Sequence, residues 1–492
     1  MSKPTPSPPS APVYRRRKPE TTVLYQLLNE HLETFMARLQ GGDGGANWPG
    51  FVERELRAFL DCGILTRGFC RFHCEQCGKD EIVAFSCKGR GFCPSCGGRR
   101  MAEEAAHLVD HVLPEVPMRQ WVLTMPHRIR YLIAFDRVLC SEVRRIFVRT
   151  VQAFLRWRAQ RVGIRKGRCG AVVFLQRFGG SVNLNPHFHA LLLDGVYAVT
   201  PGQDAPAFHP LGNLEDHEVH ELTWKIRDKV LRLLMKKGHL AEDAALDEDR
   251  LPFGSPVLGG CYTAAVKGMV CLGSKRGTYV QREGRVPGVR FVEFSGDCCA
   301  EADGFTLHAN VRVHGRRRKQ LERLIRYMAR PAIAIQRLER LADGRVRYRL
   351  RHAFQDGTRA ILFDPLTFIE KLCALVPPPR ANLVTYHGVL APNAAWRALV
   401  APPDGPAGGP PSRKKCRKPP LDETSAPERA RRYTWAQLLK RVFEIDVLQC
   451  PFCKGRRKLI AFITETPVIR AILQCLGLPC DPPAIHPALW PT

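Results

Sequence analysis

Two Cys-x-x-Cys pairs constrain this chain more than any other feature. Cys74-x-x-Cys77 is followed, after fifteen residues, by Cys93-x-x-Cys96. That is the spacing of a four-thiolate zinc site built from two knuckles, each tight turn offering two sulfurs to one tetrahedral ion. Gly78, Gly97 and Gly98 stand directly behind the knuckles and supply backbone freedom there. Cys62, Cys70, His73 and Cys87 share the segment. They can serve a second ion or replace one of the four ligands, and spacing does not decide between these. Cys450-Pro-Phe-Cys453 is half of another such site, with Cys475 and Cys480 as irregularly spaced partners. Nineteen cysteines, many in such pairs, point to metal thiolates rather than disulfides.

The charge balance names a class of partner. Lys and Arg number 75 against 47 Asp and Glu, a net charge of +28, and such a field favours a polyanion. With no long apolar run, amphipathic anchor or lipidation motif, that polyanion is nucleic acid rather than a membrane surface. Lys88, Arg90, Arg99 and Arg100 surround the first knuckles, and Lys454, Arg456, Arg457 and Lys458 follow the last. A basic zinc module is either a grip on DNA or a purely structural staple. Residues 1–20 begin with basic and Pro-rich sequence lacking an apolar stretch, so they read as a disordered tail, not a signal peptide, and the protein is expected in the cytoplasm.

Apolar periodicity organises the rest. Residues 21–61 read as a helical hairpin, and 21–112 as a helical zinc-binding domain with a further helix from about Arg99. QWVLTMP (120–126) reads as a buried strand, Val138 to Val162 as a basic helix, and AVVFLQRF and HFHALLLDGVY as strands joined by the turn-rich GGSVNLNP. The stretch from about 200 to 304 looks like an insertion. FTLHANVRV is a strand and Arg316 to Arg330 a helix. Residues 336–400 extend this central domain (116–335), 401–432 have linker composition, and 433–492 form a small C-terminal Cys-x-x-Cys module.

In NPHFHALLL, strand alternation puts His187 and His189 on one face and Phe188 on the other, so two metal ligands stand side by side. In RRRKQLERLIRYMARP, Lys319, Arg323 and Tyr327 fall at successive i, i+4 positions with Arg330 three residues on, while Leu321, Leu324, Ile325 and Met328 form the apolar side. A tyrosine on a basic stripe can meet a phosphate held by guanidinium forks, and nearby cations favour its ionised form, as suits a nucleophile.

SCKGRGFCPSC, QWVLTMPHRIRY, FLQRFGGSVNLNPHFHALLLDGVY, LERLIRYMARPAIAIQRL, TYHGVLAP and DVLQCPFC occur together and in order. With them the chain resembles the HUH rolling-circle transposases, more narrowly insertion-sequence family ninety-one and its common-region relatives, over roughly residues 25–400 and 433–480. The resemblance implies an α+β fold whose HUH core is an antiparallel sheet covered by helices, flanked by the two cysteine modules. It implies His187 and His189 as ligands of catalytic Mg²⁺ or Mn²⁺, and Tyr327 as the nucleophile that becomes linked to a DNA 5′ phosphate. Two-tyrosine members carry a second tyrosine where this chain has Arg323, so the single-tyrosine branch is the closer match. Gln176 is the expected third metal ligand, with His308 behind it. Lys319, Arg323, Arg326 and Arg330 are expected on DNA phosphates, and Tyr386 in a structural role. Zinc is structural.

The partners expected are single-stranded or hairpin DNA at the ends of an element, with Trp121 and Phe188 as candidate base-stacking side chains, and host replication proteins, in a bacterial cytoplasm at the nucleoid. A non-catalytic zinc-dependent DNA-binding regulator explains the charge and cysteines but neither the His-x-His strand nor the tyrosine helix. A barrel metallohydrolase lacks the required strand and helix alternation here.

Overall fold

The structure is a computed structural model that describes residues 14–41, 48–200, 202–203, 205–240, 256–286, 296–402 and 433–489. Residues 403–432 of the expected linker, and residues 201, 204, 241–255 and 287–295 of the expected insertion, lie outside the described residues.

Chain order begins with α1 (Val23–Gly41) and α2 (Gly50–Asp61), then β1 (Phe69–Cys74), β2 (Asp80–Ala84) and α3 (Pro94–His111). Leu24, Leu28, Leu32 and Phe35 of α1 and Val52 and Leu56 of α2 are buried at helical spacing. β3 (Met118–Thr124) leads through α4 (His127–Phe135) and α5 (Arg137–Arg161) to the hairpin β4 (Gly170–Phe178) and β5 (Leu184–Leu193). A ribbon of β6 (Gly195–Ala198) and β7 (Ala207–Pro210) precedes α6 (Asp216–Lys236), α7 (Pro256–Lys267) and β8 (Gln281–Glu283). Then come β9 (Cys299–Ala302), β10 (Phe305–His308), β11 (Arg312–Val313) and α8 (Arg318–Met328). β12 (Leu338–Arg340), β13 (Val346–Arg349), β14 (Ala360–Phe363), α9 (Pro365–Leu375), β15 (Val384–Gly388) and α10 (Arg397–Val400) follow. After the linker stand α11 (Trp435–Phe443), β16 (Arg457–Ile463) and α12 (Thr466–Cys475).

The central sheet has the order β15-β4-β5-β3-β10-β9, with β11 also on β3, and every pair is antiparallel. β5 lies in the middle, which explains its unbroken apolar run: eight consecutive residues from Pro186 are buried because both faces are covered. On one face Trp121, Leu123, Phe188, Ala190 and Leu192 pack into a core shared with Phe147 of α5 and Ile226 of α6. On the other, Val172, Phe174, Leu191 and Leu193 meet Ala105 and Leu108 of α3 and Leu321, Ile325 and Met328 of α8. Full burial of such aliphatic side chains is worth about 1.5–3 kcal/mol each, so α8 is firmly seated on the histidine face.

Four expectations change. Leu28, Phe35 and Leu56 belong to the same continuous core as Phe147 and Phe188, so the N-terminal hairpin is built into the central body rather than set apart from it. α6, in the expected insertion, packs on α5, β9 and β10 and helps cover the sheet. The C-terminal module does not stand alone either: β16 pairs antiparallel with β1, giving the three-stranded sheet β16-β1-β2. A helix face or a strand edge announces that it needs a partner, but not which one. The N-terminal tail is also partly engaged, since Tyr14 meets the ring of Trp435 edge-on.

Candidate active site and cysteine clusters

His187 and His189 point to the α3 and α8 face of the sheet, as strand alternation requires, and their Nε2 atoms lie 3.0 Å apart. His187 Nδ1 meets the Asn185 carbonyl at 2.7 Å, and His189 Nδ1 meets the Gln120 amide at 2.9 Å. Burial lowers the His187 pKa to about 4, with Arg330 and Arg130 pushing the same way. Burial, then His187 and Arg330, hold His189 well below the ordinary histidine value. Both imidazoles are therefore neutral at pH 7, the form that ligates a metal.

The Tyr327 ring stands edge-on to His189 with centroids 5.8 Å apart, and Tyr327 is 42% exposed. Its position follows from the end of α8. Pro331 disfavours further helix, and Gln176 of β4 donates Nε2 to the carbonyls of Tyr327 at 3.0 Å and Met328 at 2.7 Å. Gln176 is itself the cross-strand neighbour of His187. One side chain thus ties the tyrosine helix to the histidine hairpin. Its Oε1 is buried and finds no hydrogen-bond partner among the described residues. Gly97 contributes from the other side: a Cβ there would sit 2.7 Å from Pro331, so its role is close approach at the end of α8. Gly98 shows no such constraint.

Replacing Gln176 with Leu leaves two carbonyls without their side-chain donor, and we expect a loss of about 1–3 kcal/mol in stability, measured by urea unfolding. An unchanged midpoint and slope would mean the tie is unimportant.

Lys319 and Arg323 are exposed along α8 on the side of Tyr327, and Arg330 lies 5.0 Å from the Tyr327 ring and 5.5 Å from that of Phe178. Arg326 of the same stripe is already engaged, donating to Glu322 at 2.6 Å. Trp121 and Phe188, expected as base-stacking candidates, are fully buried on the opposite face of the sheet and are core. His308 sits across β3 from His189, both opposite Val122. The Tyr386 hydroxyl donates to Glu104 at 2.9 Å, a structural contact.

Two polar residues escaped the sequence reading. Gln120 supports His189, and Arg130 contributes positive charge at His187. Gln120 was accessible in principle: in QWVLT it alternates with Val122 and Thr124, a polar group on the histidine face of a buried strand.

The cysteines are arranged differently from the expectation. Cys74, Cys77, Cys93 and Cys96 do not converge on one point. Cys93 and Cys96 gather with Cys62 and Cys87, with Sγ separations of 3.7 Å (Cys62–Cys93), 3.8 Å (Cys62–Cys96) and 3.5 Å (Cys87–Cys96). Cys74 and Cys77 gather with Cys450 and Cys453. The reason is that β1 and β2 carry the first knuckle away from the start of α3, where the second lies. Cys70 and His73 belong to neither cluster, and His73 Nδ1 faces Asp80 at 2.8 Å. Cys475 and Cys480 are also outside both.

Among the described residues no helix is long and apolar enough to cross a membrane. Residues 170–396 match a family profile described as a putative transposase, and residues 27–125 match one described as a transposase zinc-binding domain. The chain is 28% identical over 138 residues to the transposase for insertion sequence element IS801 of Pseudomonas savastanoi pv. phaseolicola. That stretch is 28% of this chain and 32% of the relative, so the match spans about a third of the curated relative's length. No solved structure matches. With both profiles in chain order and the histidine pair, tyrosine helix and first cysteine cluster inside their bounds, the matches together support a transposase of insertion-sequence family ninety-one.

Proposed function

We propose that this protein nicks and rejoins single-stranded or hairpin DNA at the ends of an element by a rolling-circle route, with Tyr327 as its only catalytic tyrosine and an HUH-type core. The observation that carries this reading is the edge-on approach of Tyr327 to His189, held by Gln176 across the helix and the hairpin. Arg323, at the position of a second tyrosine in two-tyrosine relatives, is exposed on the same stripe.

The donor set fits a divalent cation. Two neutral imidazole nitrogens 3.0 Å apart are at roughly the spacing of neighbouring ligands around an octahedral ion at about 2.1 Å. The orphaned Gln176 Oε1 is a suitable third donor. Mg²⁺ or Mn²⁺ at His187, His189 and Gln176 would neutralise charge developing on the scissile phosphate. Gln120 Nε2 faces His189 Nδ1; with that amide turned over, its oxygen would accept from Nδ1–H and leave the Nε2 lone pair of His189 free for the ion.

Lys319, Arg323 and Arg330 hold the flanking phosphates. The Tyr327 oxygen attacks phosphorus in line, its proton leaves to solvent, and the bond from phosphorus to the 3′ oxygen breaks. The departing oxygen keeps the electron pair and takes up a proton to become a 3′ hydroxyl. The 5′ phosphate is then esterified to Tyr327. One phosphoester replaces another, so rejoining runs the same step backwards without ATP. Zinc at Cys62, Cys87, Cys93 and Cys96 is structural, setting the start of α3 against Pro331.

Single strands from each end of the encoding element, incubated with purified protein and Mg²⁺ or Mn²⁺, should yield a denaturant-resistant adduct. Mass spectrometry should locate the nucleotide on the peptide containing Tyr327. Tight binding with no adduct under any metal condition would leave a DNA-binding regulator as the better description.

A further inference from the structure

The cysteines at the two ends of the described chain converge although more than three hundred residues separate them in sequence. Cys74 Sγ lies 3.4 Å from Cys453 Sγ, and Cys77 Sγ lies 3.6 Å from Cys450 Sγ. A tetrahedral zinc ion with bonds of about 2.3 Å spaces its sulfurs about 3.8 Å apart, so four thiolates at these separations match that geometry. The two loops are built alike. In each, the residue after the second cysteine is left-handed, Gly78 at φ 70° and Lys454 at φ 63°. Its amide bonds back to the carbonyl of the first cysteine, Gly78 to Cys74 at 2.8 Å and Lys454 to Cys450 at 3.0 Å. The Gly455 amide donates to Cys453 Sγ at 3.4 Å. Backbone donors of this kind stabilise thiolates.

We infer that Cys74, Cys77, Cys450 and Cys453 form a second zinc site, split between the two ends of the chain, whose ion clasps the C-terminal unit across α3 onto the helix that bears Tyr327. The C-terminal unit has little else of its own to hold it. Its small core is Ile469 and Leu473 against Leu65, Phe69 and Ile82, so even that core is half borrowed from the N-terminal unit. Units with so little buried surface need a staple.

Beyond the site, Trp435 packs against both Tyr14 and Phe72. Tyr433 donates to Asp110 of α3, and Arg441 reaches both Asp110 at 3.0 Å and Glu322 of α8 at 3.3 Å. The ion would therefore fix the unit that buttresses the exposed side of α8. This inference stands on the cysteine geometry and the pairing of β16 with β1, not on the chemistry of Tyr327.

The test uses the full chain with a specific protease site placed within 403–432. Purified wild type should hold two zinc ions per chain, and Cys450→Ser/Cys453→Ser should hold one. After cleavage, the fragment from 433 onward should co-elute with the remainder in zinc-containing buffer and separate once a chelator strips the metal. In the double-serine protein it should separate without chelator.

Cys475→Ser/Cys480→Ser is the control and should keep two ions and the bound fragment. If the double-serine protein cannot be purified, cobalt titration of metal-free wild type gives the same answer: two equivalents of tetrahedral thiolate absorption are expected, and one overturns the proposal. A fragment that dissociates in zinc, or one that stays bound to both chelated and double-serine protein, also overturns it.

Discussion

A Tyr327→Phe protein is expected to bind single-stranded DNA as the wild type does and to form no covalent adduct at all. Phenylalanine keeps the ring that meets His189 edge-on and the one beneath Arg330, and it removes only the attacking oxygen. Tyr327 is substantially exposed at the end of α8, so no buried hydroxyl partner is orphaned and the melting temperature should hold. The electrostatic part of binding rests on Lys and Arg, not on the phenol. Gel shifts and adduct formation on the same preparations separate the two quantities. An adduct that survives the change would keep the reaction class and move the nucleophile, with Tyr386 next in line despite its contact with Glu104.

Alanine at His187 or His189 is expected to slow metal-dependent adduct formation by about a thousandfold, again with DNA binding kept. Charge neutralisation at a scissile phosphate is worth several kcal/mol, and about 4 kcal/mol corresponds to about three orders of magnitude in rate. Both histidines are buried, so melting curves must accompany the rates.

The same pair makes a pH prediction. His187 is depressed to about 4 by burial and His189 is also well below its ordinary value. The unfolded chain therefore takes up protons at these positions near pH 6.5, while the folded chain takes them up only at lower pH. Their contribution is full above about pH 6.5 and is lost as pH falls towards 4. The alanine variants should show a flatter decline of melting temperature over that window than wild type. Equal slopes would mean that the imidazoles are not held neutral by the fold. Loss of DNA binding together with cleavage in either variant would argue against the metal-ligand assignment.

Much of the candidate site was legible because it is carried by local periodicity. Alternation in NPHFHALLL is enough to put two imidazoles on one face, and the spacing in RKQLERLIRYM is enough to put Lys319, Arg323 and Tyr327 on the polar side of an amphipathic helix. Pro331 ends that helix wherever it packs. Arg326 shows the limit of the argument, since a helical wheel cannot tell a cation awaiting phosphate from one already engaged by Glu322 at i−4.

Side-chain identity, strand alternation and helix ends are properties of neighbouring residues, and the amino-acid sequence by itself determined them: the histidine pair, the basic tyrosine helix and cysteine knuckles of metal-binding form. The tertiary structure alone decided who meets whom. It brought Gln176 to the carbonyls of Tyr327 and Met328, turned Gln120 towards His189, buried Trp121 and Phe188 away from any base, and merged the hairpin α1 and α2 with the main core. Above all, it sorted the cysteines. Spacing suggests that the nearest two knuckles share an ion, because short loops close easily. The pairing of β1 with β16 instead delivers a distant Cys-x-x-Cys to the first knuckle, while Cys62 and Cys87 come to the second. The entropy of closing a loop grows only slowly with its length, so strand pairing and side-chain packing can override sequence proximity, and only the folded chain reveals that they do.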